Sequence, residues 1–314
     1  MKKGIVIKST GSWYTVKTEE GTLIESRIKG NIRLKGIRST NPIAVGDNVE
    51  LIELKEDNST ESQTVGFITK IHPRKNYIIR KSPNLSKESH IIAANIDQAF
   101  LIVTINYPET TTTFIDRFLV SAEAYQISCH IIFNKIDLYN EEEMKLMNSL
   151  IDIYKNAGYT CLQLSVKENI GFTELQSMLK DKTNVFSGHS GVGKSSIINV
   201  LHPKGNLKTG IISDVHFSGK HTTTFSEMIE LEFGGYIIDT PGIKGFGVLE
   251  MEREEISHYF PEIFRLLDGC QFYNCTHTHE PNCAVKKSVE EGKIAQSRYF
   301  SYLGLLNGDE KYRN

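Results

Sequence analysis

The sequence has no long apolar run, and this absence sets the first limits on its class. Its 314 residues are 39% hydrophobic and 24% charged, but no stretch approaches the roughly 18 consecutive apolar residues of a membrane-spanning helix. After Lys2 and Lys3, the apolar stretch 4–7 is too short for the core of a signal peptide. With 8 Pro and 24 Gly, the composition also excludes collagen and a disordered chain. We therefore expect a folded cytoplasmic protein of about two domains, with no membrane partner.

Cysteine is scarce as well. Five cysteines in a chain of this length are too few for a disulfide scaffold, and a cytoplasmic location would keep them reduced. Cys129 and Cys161 lie in apolar runs and are expected to be small buried residues. The other three crowd between residues 270 and 283, which indicates a metal site rather than disulfide bridges.

The small net charge of −2 hides an uneven distribution. Residues 1–90 carry sixteen basic against ten acidic side chains, a net charge of +6 that leaves −8 for the remainder. A short segment holds five basic residues and no acid: Arg27, Lys29, Arg33, Lys35 and Arg38. Such a surface attracts phosphate backbones, although a solvated strand face would have the same composition.

Five short β-rich runs separated by turn residues fill the first 72 residues. They span 4–7, 13–16, 23–28, 49–54 and 65–71, and this spacing predicts a small barrel of the OB or SH3-like kind. Trp13 and Tyr14 are candidates for stacking on nucleotide bases. Core packing is the favoured reading, since one of two adjacent strand residues normally points inward.

Residues 73–90 contain two Pro and a net positive charge and are predicted to form a linker. Beyond them, strands and helices alternate, which is typical of a doubly wound parallel sheet with helices on both faces. Strands are predicted at 99–105, 127–133, 160–165, near 185, 225–231 and 236–239, and helices near 113–125, 141–157 and from 194. Beyond residue 247 the segments 250–267 and 285–306 are predicted to be helical.

A glycine-rich stretch follows the strand near residue 185 and opens a helix. It fits G-x-x-x-x-G-K-[ST], the phosphate-binding loop. The predicted contacts to the phosphates are Gly188, His189, Ser190, Gly191, Val192, Gly193, Lys194, Ser195 and Ser196. In such a loop the backbone N–H groups turn inward, Lys194 reaches the β and γ phosphates, and the Ser195 hydroxyl is a ligand of Mg²⁺.

Downstream, the sequence Asp239-Thr-Pro-Gly242 ends an apolar strand. This places a carboxylate beside the predicted Mg²⁺, and the Gly242 N–H can face the γ-phosphate. Between the two motifs, residues 219–224 are predicted to form a mobile loop, from which we select Thr223 as the third Mg²⁺ ligand.

A second motif selects the base. Asn134, Lys135, Ile136 and Asp137 close the strand 127–133, at the sheet edge where ligands of doubly wound folds bind. A carboxylate there accepts two hydrogen bonds from guanine, whereas adenine would leave Asp137 unpaired, so GTP or GDP is the expected ligand. Ser165, Val166 and Lys167 follow the next strand, where a backbone N–H would meet the guanine O6.

The order of these motifs is unusual. In ordinary GTPases the phosphate loop comes first and the base-selecting motif last, but here Asn134 precedes Gly188 by 54 residues. The sheet is therefore predicted to be circularly permuted. The segment after Gly242 then runs directly into the C-terminal module.

Three cysteines and a histidine within fourteen residues, Cys270, Cys275, His277 and Cys283, are sufficient for one closed tetrahedral zinc site of structural type. His279 is an alternative ligand. Such a short segment with little apolar content would need a cross-link to hold its shape.

The sequence lacks the usual residue that orients the attacking water. Many GTPases place Gln directly after the D-x-x-G motif, but here that position is Ile243, which cannot donate or accept a hydrogen bond. The intrinsic rate is therefore expected to be slow. His221 is the best remaining candidate, whereas His189 is expected to be a spacer.

Together, the permuted motifs at 134–137, 188–196 and 239–242, the run 91–97 and the cluster 270–283 resemble the RsgA family, also called YjeQ or YloQ. The resemblance spans the whole chain. It implies a bacterial GTPase that binds the small ribosomal subunit and its rRNA late in assembly, helps to dismiss the assembly factor RbfA, is stimulated by the subunit and leaves after hydrolysis. It also implies zinc on Cys270, Cys275, His277 and Cys283, and a water-orienting role for His221.

The predicted organisation is thus an OB-like barrel at 1–72, a linker at 73–90, a circularly permuted P-loop GTPase domain at 91–246 and a helical zinc-binding module at 247–314. A monomer is expected. Two alternatives stay open: a permuted GTPase acting on the large subunit, and a nucleotide-gated RNA-binding module whose hydrolysis is incidental.

Overall fold

The computed structural model describes residues 1–29, 42–56, 63–81, 89–203, 226–239 and 251–308. Its chain divides into two compact units. The first comprises Met1–Gln98, Met178–Phe186 and Leu201–Ile243, and the second comprises Ala99–Ser177, Ser187–Val200 and Lys244–Asn314. Each unit is therefore built from three separate stretches of sequence.

Five strands of the first unit form a closed barrel: β1 (Lys2–Thr10), β2 (Trp13–Thr18), β3 (Leu23–Ile28), β4 (Asn48–Glu56) and β5 (Gln63–Ile71). The strands pair in the order β1-β2-β3-β5-β4, and β4 returns to β1. Alternate side chains such as Val6, Val16 and Leu51 fill the interior. Tyr14 is 1% exposed within this core, while its neighbour Trp13 faces outward under the Arg27 guanidinium, 3.8 Å from the ring centroid. The predicted five-stranded barrel is confirmed.

Two further strands lie where the sequence indicated only a linker. β6 (Tyr77–Lys81) pairs antiparallel with β7 (Ser89–Ala94). The segment is also fastened to the barrel, because Arg74 donates two hydrogen bonds of 2.6 Å to the buried carboxylate of Asp47. The prolines and positive charge of this stretch concealed a short apolar run in which Ile78 is fully buried.

The first unit continues through β11 (Thr183–Ser187), β12 (Ser226–Glu230) and β13 (Tyr236–Asp239). β13 lies parallel to β11 and antiparallel to β12. β12 in turn pairs antiparallel with barrel strand β1, with Lys8 opposite Glu227. A hydrogen-bonded ladder therefore runs from the barrel to the strand that ends in Asp239.

The second unit contains the order β10-β9-β8, formed by β8 (Gln98–Val103), β9 (Ser128–Phe133) and β10 (Thr160–Gln163). Its helices are α1 (Thr112–Ala124), α2 (Glu141–Ala157), α3 (Phe172–Leu179) and α4 (Lys194–Leu201). All six residues of β8 are buried, as expected for a strand covered on both faces. α2 begins at a capping box made by Asn140 and Glu143 and ends at Gly158 with φ of +113°. The predicted βα alternation is confirmed, and α3 is an addition to it.

The C-terminal part of this unit is helical but more broken than expected. A 3₁₀ helix (Arg253–Tyr259) is followed by α5 (Pro261–Phe264) and a second 3₁₀ turn (Leu267–Gly269). Then come α6 (Ala284–Glu290) and α7 (Gln296–Asn307). The predicted helical segment 250–267 is divided into short helices, because Pro261 has no N–H and starts a new helix instead of continuing one. Phe260, Ile263, Val285 and Tyr302 form the core of this part.

No helix in the described ranges is both long and apolar enough to cross a membrane.

Candidate nucleotide and metal sites

The backbone of residues 188–193 has the shape of a phosphate-binding loop. Gly188, Gly191 and Gly193 have φ of +143°, +84° and +100°, values that a residue with a Cβ rarely adopts. Gly188 also lies against the carbonyl of Ile102, so a side chain at this position would collide with backbone. The loop ends at Lys194, the first residue of α4. The glycine spacing seen in the sequence is thus required by the fold.

Lys194 folds back over this loop. Its Nζ donates to the carbonyls of Gly188 and His189, each across 2.6 Å. The ammonium group is therefore held at the mouth of the loop, at the helix N-terminus where backbone N–H groups favour anions. His189 stacks on Phe114 of α1, with ring centroids 3.8 Å apart. Phe114 thus supports the phosphate loop from the side, a contact that the sequence did not indicate.

Asn134 joins the base-selecting motif to the phosphate loop. Its side chain is 1% exposed, and Nδ2 donates to the carbonyl of Val192 across 2.8 Å. The backbone carbonyl of Asn134 accepts a hydrogen bond of 2.7 Å from the Tyr139 hydroxyl. The same hydroxyl accepts a hydrogen bond from the N–H of Ile105. Burial raises the pKa of Tyr139 to about 12. The tyrosine therefore stays protonated and bridges two backbone segments.

Asp137 is held by Ser165, which lies in the loop after β10. One carboxylate oxygen, Oδ1, accepts a hydrogen bond of 2.6 Å from Ser165 Oγ. The same Oγ accepts one from the N–H of Glu168, so the loop after β10 is drawn toward Asp137. Ser165 is fully buried, whereas Asp137 is half-buried and Lys167 is exposed. The arrangement orients a carboxylate beside a loop of backbone N–H groups, as recognition of guanine requires.

Lys135 and Ile136 complete this edge. Lys135 has φ of +62°, and its Nζ donates to the carbonyl of Tyr107 across 2.6 Å. Ile136 begins a 3₁₀ helix that ends at Leu138. Val166, in the loop after β10, is half-buried.

Four predicted site residues lie wholly or partly outside the described residues. Asp239 is the last residue of β13, opposite Glu227 of β12, but its side chain lies outside the described residues. The same is true of His221, Thr223 and Gly242 as whole residues. Their roles stay predictions.

The predicted metal ligands are brought together. The ligand atoms of Cys270, Cys275, His277 and Cys283 all lie within 4.8 Å of one another. His277 Nδ1 is 3.6 Å from Cys270 Sγ and 3.4 Å from Cys283 Sγ, and these two sulfurs are 3.9 Å apart. Zinc bonds of about 2.3 Å to sulfur and about 2.0 Å to nitrogen place tetrahedral ligands about 3.5–3.8 Å apart. The cluster therefore fits zinc, while His279 lies outside it.

Hydrogen bonds around the cluster fix its loop. The hydroxyls of Tyr299 and Tyr302 donate to the carbonyls of His277 and Thr276 across 2.6 and 2.7 Å. Burial lowers the pKa of His277, which keeps the imidazole neutral as a ligand must be. Burial raises the pKa of the Cys275 thiol to about 12, so a bound cation is needed to turn this group into a thiolate.

A phosphate loop that follows its base-selecting motif in sequence, in an α/β chain that also contains a β-barrel and a Cys/His module, defines a circularly permuted P-loop GTPase.

Comparison with known proteins identifies the GTPase family to which the chain belongs. The RsgA GTPase family matches residues 71–249, and the RsgA N-terminal domain family matches residues 3–62. The chain belongs to the RsgA family of GTPases, which confirms the resemblance, the fold class and the enzyme class predicted from the sequence.

Relatives match over nearly the full chain. "Small ribosomal subunit biogenesis GTPase RsgA 2" of Bacteroides thetaiotaomicron is 57% identical over 313 residues, 99% of each chain. "Small ribosomal subunit biogenesis GTPase RsgA" of Flavobacterium johnsoniae is 57% identical over 98% of this chain and 94% of its own.

Two solved structures share the architecture. YjeQ from Thermotoga maritima has a TM-score of 0.77 at 36% identity and covers 98% of each chain. YloQ, described as a circularly permuted GTPase, has a TM-score of 0.73 at 31% identity, covering 98% of this chain and 94% of its own.

Proposed function

We propose that this GTPase acts as an assembly factor in late maturation of the small ribosomal subunit. The nucleotide-binding part of this proposal rests on the hydrogen bond from Asn134 Nδ2 to Val192 O. This bond joins the base-selecting motif and the phosphate-binding loop into one site. The assembly role is supported by relatives that are 57% identical over almost the whole chain and are named for biogenesis of that subunit.

In this proposal the guanine is read by residues 134–137 and 165–167. Asp137 accepts from the guanine N1–H and 2-amino group with a carboxylate oriented by Ser165. Asn134 and Lys135 hold the base edge, and the backbone around Val166 meets O6. ATP is rejected because adenine has no donors for Asp137.

The phosphates are held by residues 188–196. Water attacks the γ-phosphorus, the bond to the β–γ bridging oxygen breaks, and GDP and inorganic phosphate leave, with the proton of the water ending on the phosphate. Lys194 stabilises the charge that develops on the phosphate oxygens. Ser195, Thr223 and Asp239 would hold Mg²⁺, which neutralises phosphate charge when bound, and His221 orients the water.

The barrel supplies the rRNA contact in this proposal. Trp13 and the exposed Arg27 form a stacked pair on its outer surface, and the basic segment from Arg27 to Arg38 begins at that pair. An aromatic ring and guanidinium groups suit the stacked bases and phosphates of RNA.

The proposal also covers the metal site, the domain boundaries, the location of the protein and its oligomeric state. The Cys270, Cys275, His277 and Cys283 site holds one structural zinc, and its module contributes to subunit docking and to release of RbfA. The proposed domain boundaries are 1–72, 73–90, 91–246 and 247–314, with β6 in the second segment and β7 crossing the boundary at residue 90. The protein works in the cytoplasm as a monomer.

GTP turnover by the purified protein alone, with small subunits and with large subunits, at one fixed salt concentration, tests the proposal. A Lys194→Ala variant, which loses the phosphate-binding ammonium, measures contaminating GTPase in each subunit preparation. We expect slow turnover alone and strong stimulation by small subunits only. Equal stimulation by large subunits would contradict the assignment, and stimulation by neither despite tight GDP binding would favour the nucleotide-gated RNA-binding alternative.

A further inference from the structure

Tyr107 has an unusual combination of backbone and exposure. It lies in the loop between β8 and α1, the residue is 67% exposed, and its φ is +62°. The left-handed region is unfavourable for a bulky residue and is found mainly where a site requires it. An aromatic ring in solvent gains nothing from burial that would offset this strain. The exposed ring is therefore accessible to a ligand that lies beside this loop.

The loop that carries Tyr107 is fixed to the base-selecting motif. The Tyr107 carbonyl accepts the hydrogen bond from Lys135 Nζ at 2.6 Å. One residue earlier, Asn106 donates to the carboxylate of Glu143, in the first turn of α2. These contacts hold the backbone of residue 107 directly beside Lys135.

The other side of the loop touches the phosphate loop. The Pro108 ring lies so close to Gly191 that a Cβ at position 191 would be 3.4 Å from Pro108 Cδ. Residues 107 and 108 thus bridge the base-selecting motif and the phosphate-binding loop. A nucleotide bound by both motifs has its nucleoside between the base-selecting motif and the phosphate-binding loop, and therefore beside residues 107 and 108.

The geometry points to Tyr107 as a further nucleotide-binding residue, whose ring packs against the guanosine of GTP and GDP. This inference rests on the proposed base site at residues 134–137. Stacking of an aromatic ring on a base is tolerant of exact orientation and contributes through contact area and desolvation. The contact exists before and during hydrolysis, so it strengthens binding without changing the chemical step.

Four variants distinguish the effect of the Tyr107 ring from the effect of backbone strain and from that of removing any exposed tyrosine ring. Tyr107→Phe keeps the ring, and Tyr107→Ala removes it. Tyr107→Gly removes the ring but also relieves the strain at φ of +62°. Tyr273→Ala is the matched control, because Tyr273 is a fully exposed tyrosine in the zinc-binding module.

The measurements are the Kd for GDP and the steady-state KM and kcat for GTP. We expect Tyr107→Ala and Tyr107→Gly to raise both Kd and KM at least fivefold, the lower end of alanine effects for a stacked base, with kcat within twofold. Tyr107→Phe and Tyr273→Ala should match the wild type. A Tyr107→Ala protein with Kd and KM within twofold of the wild type overturns the inference. So does a Tyr107→Gly protein that binds normally while the alanine variant does not, since strain would then be the cause.

Asp137→Asn, measured in the same assays, distinguishes failure of the proposed Tyr107 contact from failure of the proposed base site. If Asp137→Asn leaves guanine selectivity unchanged, the base site itself is wrong. If it shifts selectivity while Tyr107→Ala has no effect, only the role of Tyr107 is wrong.

Discussion

Arg298 Nη1 donates to Asp116 Oδ1 across 2.9 Å in a fully buried ion pair between α7 and α1. The same guanidinium donates to Glu262 from Nε at 2.7 Å, and Asp116 also accepts from the hydroxyls of Tyr154 and Ser301. The C-terminal module is thus tied to the helix whose Phe114 supports the phosphate loop. Burial by itself would lower the pKa of Arg298, but the two carboxylates raise it well above its usual value, so this side chain stays charged.

Replacing Arg298 with Met should strongly destabilise the protein. The change leaves the carboxylates of Asp116 and Glu262 buried without a cation, which costs about 3–5 kcal/mol of unfolding free energy. Urea denaturation measures the loss. Lys293→Met is the control, because Lys293 pairs with Glu291 at the surface, where such pairs contribute about 0–1 kcal/mol. Equal small effects of both changes would contradict the interpretation of a buried network.

Asp137→Asn should shift nucleotide preference toward xanthine. An amide can donate to the 2-oxo group of xanthine, whereas the carboxylate accepts from the 2-amino group of guanine. Competition between GDP and XDP for the purified variant gives the preference directly. Unchanged selectivity for GDP would exclude Asp137 as the base-reading residue.

Tyr139→Phe should weaken the connection between the base motif and the loop after β8. The Ile105 N–H and the Asn134 carbonyl each lose a partner, at a cost of about 1–3 kcal/mol in unfolding free energy. Thermal denaturation with and without GDP measures the change. The exposed Tyr273, changed to Phe, should melt like the wild type, and a Tyr139→Phe variant that did the same would show that water replaces the hydroxyl at no cost.

Purified protein should contain one zinc per chain, measured by elemental analysis. Cys270→Ser should lose the metal and lower the melting temperature, because the module around the cluster depends on the cross-link. His279→Ala should retain the zinc, since its imidazole lies outside the cluster. Zinc loss in the His279 variant would require a different ligand set.

His221→Ala should reduce stimulated turnover and leave the affinity for nucleotide nearly intact, because a water-orienting group acts on the chemical step. Single-turnover hydrolysis together with GDP titration separates the two quantities. Equal losses in turnover and affinity would indicate a binding role for His221 instead.

Local signals predicted most of the elements. The helix Glu141–Ala157 and the strand Tyr236–Asp239 have the predicted bounds, and the helix ends are set by short-range features, the Asn140 cap and Gly158. The hairpin of β6 and β7 was missed because its strands are short and flanked by prolines. α3 was missed because eight residues give a weak helical period.

The candidate site was predictable only as separate motifs. Glycine spacing and N-K-x-D identify residues without giving their mutual geometry. The Asn134 bond to Val192 joins residues 58 positions apart, and Arg298 meets Asp116 across 182 positions. Pairings of this kind depend on the assembled fold, and neither Tyr139 nor Phe114 belongs to a motif that would have marked it.

The pairing of β1 with β12 sets an order for folding. Lys8 lies opposite Glu227, on the edge of β1 where β4 pairs only with residues 2–5, so this end of the strand has no partner on that edge until more than two hundred further residues have been made. Contacts of such sequence separation form slowly, because a large loop must close first. A nascent chain that stops before β12 therefore exposes the backbone of Lys8 and Ser9 as an open stretch of strand edge, a site for pairing with other chains. Completion of the first barrel strand therefore waits for β12, a strand that lies outside the barrel.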